Sequence, residues 1–138
     1  MKERTLVILK PDCLEKQLAG VVVDRLQKAD MDIVACKMIA LTDALLEAHY
    51  AHILDKPYFP PLRDFMKRRS VIVMVFEGEG AIAKTRELLG PTDSTKAPKG
   101  TIRGDFGLNT RENIAHASDS PESAAAEIAR FFSDNEIF

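Results

Sequence analysis

Two short and almost continuous apolar runs constrain the fold of this 138-residue chain more than any other feature. They are TLVILK at 5–10 and SVIVMVFEG at 70–78. Runs of this length that are rich in branched residues predict buried strands. Pro11 ends the first run, and amphipathic helical patterns separate it from the second. Strands separated by helices predict an α/β sandwich.

Five further elements are predicted before residue 90, in this order: a helix at 14–29, a strand at 31–41, a helix from 42 to about 54, and short helices at 62–67 and 81–89. Thr42 or Asp43 is expected to cap its helix, because both side chains accept hydrogen bonds from free helical N–H groups. Gly90-Pro91 ends the last of these helices.

The C-terminal third combines a long irregular stretch with a short strand and a helix. Residues 90–112 show little periodicity, and loops of this length in compact domains are usually functional. Ile114–Ala115 is predicted to be a short strand, and Ser120-Pro121 to begin a helix. The predicted buried face of that helix is Ala124, Ala125, Ile128, Phe131 and Phe132. The spacing of the elements fits either a parallel or an antiparallel sheet.

Composition places the chain among folded globular proteins, with 46% hydrophobic and 29% charged residues. One domain spanning residues 1–138 is expected. No apolar run approaches the roughly 18 residues of a membrane span, and the run before Pro11 is too short for a signal-peptide core. Cys13 and Cys36 match neither a disulfide framework nor a zinc pattern. Two reduced thiols and a cytoplasmic location are therefore expected.

The charge distribution points to an anionic ligand, although the net charge is only -2. The segment 84–111 carries six cations and three acids, so its charge is +3 and that of the remainder is -5. A basic segment in an acidic chain is what an anionic ligand would favour. A solvated loop would show the same composition, and charge alone does not separate the two interpretations.

His116 is the strongest candidate for a reactive residue. It lies in RENIAHASDSPES (111–123), followed by Ser118 and Asp119, and Glu127 lies near the flank of the next helix's apolar face. A carboxylate that holds one imidazole nitrogen leaves the other as a base or nucleophile. A serine-hydrolase triad is disfavoured, because such groups converge from distant segments and GxSxG is absent. A histidine satisfied at a strand end is the structural alternative.

Side chains, rather than a glycine-rich loop, would have to bind phosphate. EGEGAIAK at 77–84 matches neither the Walker pattern nor GxGxxG. The candidates are Lys10, Arg86 and Arg103, with a hydroxyl from Thr92, since guanidinium and ammonium groups suit phosphate oxygens. Each of these cations could equally be an ordinary surface charge.

Two other site classes are disfavoured. The histidines at 49 and 52 lack the HExxH spacing and an evident third metal ligand. The strongest strand lacks the alternating aromatics of an RNA-binding sheet, so stacking of a single nucleotide on Tyr50, Tyr58 or Phe59 is the better use of the nearby rings.

Four segments together resemble the signature segments of nucleoside diphosphate kinases. They are ERTLVILKPD (3–12), HY followed by KPYF (49–59), GTIRGDF (100–106) and NIAHASDSPES (113–123). The resemblance runs in register from about 3 to 132. It implies a ferredoxin-like αβ sandwich of the α+β class, with a four-stranded antiparallel sheet and surrounding helices. It also implies transfer of the γ-phosphate of a nucleoside triphosphate, usually ATP, to a nucleoside diphosphate by a ping-pong route through phosphohistidine.

The resemblance implies a role for each matching residue. His116 corresponds to the phosphorylated nucleophile, Glu127 to the residue that orients its far nitrogen, and Ser118 to the serine beside it; Lys10 is grouped with these catalytic residues. The positions around the phosphates and ribose are Lys10, Tyr50, Arg86, Thr92, Arg103 and Asn113, and those bracketing the base are Tyr58 and Leu62. Mg²⁺ is expected to arrive with the nucleotide rather than in a protein carboxylate site. The implied partners are ATP and other nucleoside tri- and diphosphates and further copies of the chain, as a tetramer or hexamer. Neither a membrane nor a specific nucleic acid is implied.

The chain departs from the family pattern at several positions. Ala117 stands where glycine is common after the histidine, so a negative φ or a tolerant turn is expected there. Tyr58 replaces the usual phenylalanine, and both Thr92-Asp93-Ser94 and Arg111-Glu112 differ from the usual residues of the long loop. These loop changes bear on oligomeric form more than on chemistry. A nucleotide-binding or scaffolding member with weak catalysis is the competing function, and the presence of the nucleophile and its phosphate-binding partners favours the active enzyme.

Overall fold

The structure is a computed structural model that describes residues 2–138. The strands are Lys2–Leu9 (β1), Asp32–Ile39 (β2), Val71–Glu79 (β3) and Ala115–Ala117 (β4). The helices are Pro11–Glu15 (α1), Ala19–Lys28 (α2), Asp43–His49 (α3), Phe59–Met66 (α4), Ala81–Leu89 (α5), Ile102–Phe106 (α6) and Pro121–Phe131 (α7). Short 3₁₀ turns lie at Ala51–Ile53, Ser94–Lys96 and Asp134–Glu136.

The four strands form one antiparallel sheet in the order β2-β3-β1-β4. β1 pairs with β3 along its whole length and with β4 on its other side, where Val7 lies opposite Ala117. The sheet and its helices confirm the predicted ferredoxin-like αβ sandwich. They also decide the strand direction, which element spacing had left open.

Helices cover both faces of the sheet, which explains why its central strands are apolar at almost every position. Val7 and Leu9 of β1 pack in a core with residues of α2, α5 and α6. Leu6 and Ile8 point to the opposite face and pack with residues of α3, α4 and α7. All four are at most 1% exposed, because alternate side chains of one strand are buried in different layers.

Two predicted elements differ from the observed ones. The helix predicted at 14–29 is broken into α1 and α2, because the chain reverses at Gln17 with a left-handed φ of 59°. The prediction that 90–112 lacks regular structure was wrong, since it contains α6 and a 3₁₀ turn. Thr101 caps α6 by accepting from the Gly104 N–H. A five-residue helix is too short to show an amphipathic period.

The remaining boundaries follow the predicted pattern with local changes. Thr42 is the residue that caps α3, but the helix ends at His49 rather than near 54 and continues as a 3₁₀ turn. In α7, Ala125 is exposed rather than buried, because the apolar stripe runs through Ala124, Ile128 and Phe131. Both cysteines are free, as expected. Over residues 2–138, no helix combines the length and the hydrophobicity that membrane crossing requires.

Candidate active site

Strand alternation determines which side of the sheet His116 faces. Its neighbours Ala115 and Ala117 are buried in the core beneath α2 and α5. His116 therefore points to the opposite face, toward α3 and α7. Ala117 pairs with Val7 in extended conformation, and it is not among the positive-φ residues of the described chain, in agreement with the negative φ expected there.

Glu127 of α7 holds one nitrogen of the imidazole. Its Oε1 lies 3.0 Å from His116 Nε2 and also accepts a 2.7 Å hydrogen bond from Ser118 Oγ. Burial alone would raise the pKa of Glu127, but the hydrogen bond and charge of His116 and the bond from Ser118 keep that pKa below its ordinary value. An ionised carboxylate accepts only, so Nε2 of the neutral imidazole carries the proton. Nδ1 is then left with a free lone pair.

Ser118 is a structural link between the sheet and this pair. Its hydroxyl accepts from the Leu6 N–H at 3.1 Å and donates to Glu127, and the side chain is fully buried. The Ser118 N–H in turn donates to the Leu6 carbonyl. The serine therefore ties the carboxylate to β1 and does not reach the cavity described below.

A strained turn precedes the histidine. Ile114 has a φ of 78°, which is an outlier for a β-branched residue. The Ala115 N–H closes the turn on the Asn113 carbonyl at 2.9 Å, and the Ile114 N–H donates to the carboxylate of Asp12 at 3.0 Å. The Lys10 N–H donates to the Ile114 carbonyl, so the start of α1 braces the turn from both sides.

Arg103 braces the same turn from α6. Its guanidinium donates to the carbonyls of Asn113, Gly90 and Ala115 at 3.1, 2.9 and 2.6 Å. Burial, and next the charge of Arg86, lowers the pKa of Arg103 to about 10, so the group is charged at neutral pH. Three of its five N–H donors are thus used to hold backbone, which leaves two for a ligand.

Lys10 and Asn113 form a second buried polar pair. Lys10 Nζ donates to Asn113 Oδ1 at 2.7 Å and to the Arg111 carbonyl at 2.6 Å. The Asn113 amide donates to the carbonyls of Thr92 and Thr110. Desolvation by burial lowers the pKa of Lys10 to about 8, with Asp12 opposing the shift. An anion that enters here would therefore meet an ammonium held close to its titration point.

A cavity of about 700 Å³ opens over these groups. Ten of the eleven predicted site residues line it: Lys10, Tyr50, Tyr58, Leu62, Arg86, Thr92, Arg103, Asn113, His116 and Glu127. The eleventh, Ser118, lies behind the wall. The lining carries five cations, Lys10, Arg86, Arg103, Arg111 and Arg130, and two carboxylates, Asp119 and Glu127. The excess of cations suits a polyanionic ligand.

The outer wall is less constrained than the wall around His116. Arg86 and Thr92 are exposed. Within residues 2–138, the Arg86 guanidinium makes one hydrogen bond, a long donation of 3.5 Å to the Ala117 carbonyl. Tyr58 is 52% exposed at the start of α4, with Leu62 one turn further along. Burial, and next the charge of Glu127, raises the pKa of the Tyr50 phenol to about 12, so this hydroxyl is a neutral donor.

Sequence reasoning missed two residues of the cavity lining as site residues, His49 and Arg130. His49 packs edge-to-face on His116 with ring centroids 4.7 Å apart. Arg130 follows Glu127 by three residues, a spacing that places both on one face of a helix and could have identified it. One nitrogen each of His49 and His116 and an oxygen of Glu127 lie within 4.8 Å of one another. The histidine pair considered for metal, 49 with 52, does not form this cluster.

Comparisons with known proteins identify the family of the chain. A model of the nucleoside diphosphate kinase family matches residues 3–137. The chain belongs to the nucleoside diphosphate kinase family. It is 48% identical to the nucleoside diphosphate kinase of Parabacteroides distasonis, over 99% of this chain and 89% of that protein. It is 47% identical to that of Methanocaldococcus jannaschii, over 100% of this chain and 99% of that protein.

Solved structures give the same result. The Aquifex aeolicus nucleoside diphosphate kinase has a TM-score of 0.95 and 42% identity, with all of both chains covered. A halophilic nucleoside diphosphate kinase from Halobacterium salinarum, solved in complex with CDP, has a TM-score of 0.97 and 38% identity, over 100% of this chain and 92% of that one. The activity of the family is phosphoryl transfer between nucleoside tri- and diphosphates through a phosphohistidine, and membership assigns the chain to this enzyme class.

Proposed function

We propose that His116 is the residue of this chain that carries the phosphoryl group between nucleotides. The supporting observation is the contact between His116 Nε2 and an ionised Glu127, which leaves Nδ1 as the nucleophilic atom in a cavity lined by cations. Phosphoryl transfer requires positioning and charge neutralisation more than covalent machinery. One oriented nucleophile with several cations meets that requirement.

The reaction proceeds in two balanced halves. The Nδ1 lone pair attacks the terminal phosphorus of a nucleoside triphosphate, usually ATP, and the bond from that phosphorus to the bridging oxygen breaks. The bond electrons leave on the nucleoside diphosphate. A second diphosphate then attacks the phosphohistidine through its terminal oxygen, and the N–P electrons return to Nδ1. Throughout, Glu127 keeps the proton of His116 on Nε2 and offsets the positive charge that develops on the ring.

The cations share the remaining work. Arg86, whose guanidinium is nearly free, is assigned to the transferring phosphate, and Arg103 contributes its two uncommitted donors. Lys10 supplies charge next to the nucleophile, and together with Asn113 it reaches the ribose. Thr92 and Tyr50 supply hydroxyl donors around the phosphates. Ser118 acts from behind, by fixing the carboxylate.

The nucleobase is assigned to the outer wall, between Tyr58 and Leu62. Stacking and apolar contact do not distinguish one base edge from another, so purine and pyrimidine nucleotides are both expected as substrates. The CDP in the halophilic relative is consistent with a pyrimidine nucleotide in such a site.

The donor set of the cavity fits Mg²⁺ that is carried by nucleotide phosphates. One of the two lining carboxylates, Glu127, is committed to His116 and Ser118, which leaves the exposed Asp119 as the acid able to approach the ion. Mg²⁺ on the phosphates would neutralise charge on the transferring group. We further propose that residues 1–138 act as one domain, in the cytoplasm, within a tetramer or hexamer.

Labelling with γ-labelled ATP tests the assignment of the nucleophile. The wild-type chain is expected to become an acid-labile, alkali-stable phosphoprotein and to pass the label to a range of diphosphates. His116→Ala should abolish labelling, whereas His52→Ala, which removes an exposed histidine, should retain it. A labelled His116→Ala protein, or a wild-type protein that transfers to no diphosphate, contradicts the proposal.

A further inference from the structure

Arg130 is an unusual cation in the wall of the cavity. Within residues 2–138, its guanidinium makes one hydrogen bond, between Nη1 and Nδ1 of His49 at 3.0 Å. Among residues 2–138, no carboxylate lies within 4.0 Å of it, although Glu127 is one turn away on the same helix. An arginine that is partly buried without an acidic partner is costly to retain. An arginine in this part of the chain that has one hydrogen bond and no ion pair therefore calls for a functional explanation.

The partner of Arg130 is a buried ring that contacts the nucleophile. His49 lies at the end of α3 and is 9% exposed. It packs edge-to-face against Tyr50, His116 and Phe131, with centroid separations of 4.8, 4.7 and 5.5 Å. The ring of His116 is thus held on two sides, by the Glu127 carboxylate at Nε2 and by the edge or face of His49.

The arginine determines the tautomer of this second support. A guanidinium only donates, so Nδ1 of His49 must accept and its proton must reside on Nε2. Burial, and next the charge of His116, lowers the pKa of His49 to about 3, with Arg130 and His52 acting in the same direction and Glu127 against it. The ionisable groups that face this ring come from three segments: His116 of β4, Glu127 and Arg130 of α7, and Tyr50 and His52 beside it.

We propose that Arg130 and His49 are a positioning pair for phosphoryl transfer, in which the hydrogen bond from the arginine fixes the tautomer and place of the His49 ring, so that this ring holds His116 with Nδ1 toward the cavity. The proposal rests on His116 as the nucleophile. A protonated His49 would place a cation beside the ring that must attack, and it would compete with His116 for Glu127. Burial disfavours the protonated form most, and Arg130 adds to this because its donor and its charge both favour the neutral imidazole.

Kinetics of two substitutions test the pair. Arg130→Met removes the charge and the donor at similar length, and Arg130→Lys keeps the charge and one donor. We expect the Met variant to lose about tenfold in kcat at pH 8, with KM changed by less than about twofold, because positioning acts on the transition state. The loss should persist at pH 5.5, because burial, the largest cause of the lowered pKa of His49, remains in the variant. The Lys variant should recover most of the loss.

A matched control is Arg69→Met, which removes an exposed arginine that does not line the cavity. It should match the wild type at both pH values. An NMR titration gives a readout that a merely structural role would not change: His49 should titrate at higher pH in Arg130→Met than in the wild type. If the Met variant does not fold, Arg130→Ala, which also removes both the charge and the donor, gives the same decision.

Two results would overturn the inference. A raised KM with unchanged kcat would mean that Arg130 binds the nucleotide itself. Unchanged kinetics in the Met variant would mean that the side chain only packs. Failure of the proposed function is distinguishable from both, because the wild-type protein would then carry no label in the same assay.

Discussion

The two walls of the cavity differ in how far their polar groups are hydrogen-bonded within the protein. The inner wall is the part of the cavity around His116, where the polar groups of Glu127, Ser118 and Asn113 are hydrogen-bonded within the protein before any ligand arrives. On the outer wall, Tyr58 is half exposed, and its hydroxyl makes no hydrogen bond within the described part of the chain. One wall is therefore preorganised and the other is loose.

Under the proposed function, the difference corresponds to what each wall recognises, the phosphates at the inner wall and the base at the outer wall. Phosphoryl transfer has one geometry whichever nucleotide is bound, so a rigid wall costs nothing in substrate range and lowers the barrier. The bases differ in size and in hydrogen-bond pattern, so a wall with fixed donors would reject some of them. Substitutions in the inner wall should thus affect rate for every nucleotide, and substitutions in the outer wall should affect binding mildly.

The largest effect is expected from Glu127→Gln. The amide keeps the size of the side chain but removes the charge, and it can donate to Nε2 and so leave the proton on Nδ1. We expect kcat to fall on the order of 10²-fold for all nucleotides, as when the acidic partner of a catalytic histidine is neutralised elsewhere. Steady-state kinetics with several diphosphates measures this loss.

Glu122→Gln, an exposed change in the first turn of the same helix, is the control for Glu127→Gln and should match the wild type. Equal kcat in Glu127→Gln and the wild type would show that the inner wall does not depend on the orientation of the imidazole.

The next largest effect, about tenfold in the affinity for a nucleoside diphosphate, is expected from the titration of Lys10. Its pKa of about 8 means that the ammonium is charged below pH 8 and neutral above it. Bound phosphate favours the charged form, so affinity for a nucleoside diphosphate should fall as pH rises through 8, by about tenfold between pH 6.5 and 9. Calorimetric titration with ADP measures it.

Lys10→Met should bind ADP weakly at both pH values, and its affinity should lose most of this pH dependence. Lys99→Met, an exposed change outside the cavity lining, should behave as the wild type. If the affinity of the wild type does not change with pH, or if that of Lys10→Met changes with pH to the same extent, Lys10 does not bind the phosphates.

The strain stored in the inner wall is measurable at Ile114. Replacing this fully buried residue by Ala or Gly removes its core contacts in both variants, but only Gly adopts a φ of 78° without strain. Ile114→Gly should therefore be more stable than Ile114→Ala by about 1 kcal/mol in denaturant unfolding. At Ile102, the buried first residue of α6, the order should reverse because helices favour alanine. Alanine being the more stable at both positions would mean that the turn is not strained.

The sequence predicts some features of the fold and of the cavity walls better than others. Periodicity located the central strands, and Thr42 and Ser120 were recognisable as caps because their chemistry is local. Strand direction, the break at Gln17 and helix α6 depend on tertiary contacts or on runs too short for a period. The place of Glu127 on the flank of the following helix predicted that it could turn back toward His116, and the two side chains are in contact at 3.0 Å.

The support of the inner wall was hidden from sequence reasoning for a physical reason. The positive φ of Ile114 is imposed by bonds from Asp12 and Lys10, about a hundred residues away, and no local residue type signals it. Arg103 was expected to bind phosphate, yet most of its donors hold backbone carbonyls. Composition predicts that a cation is present, whereas only the fold shows what it holds.

The smallest effect is expected on the outer wall, from Tyr58→Phe. The ring keeps its stacking area, and the lost hydroxyl had no partner, so kcat/KM should change by less than about twofold for every nucleotide. Tyr58→Ala should raise KM severalfold and leave kcat nearly unchanged, because stacking on a base is equal in the ground and transition states. If Tyr58→Phe instead lowers kcat/KM for purines but not pyrimidines, the hydroxyl reads the base edge, and the outer wall is then as selective as the inner wall is rigid.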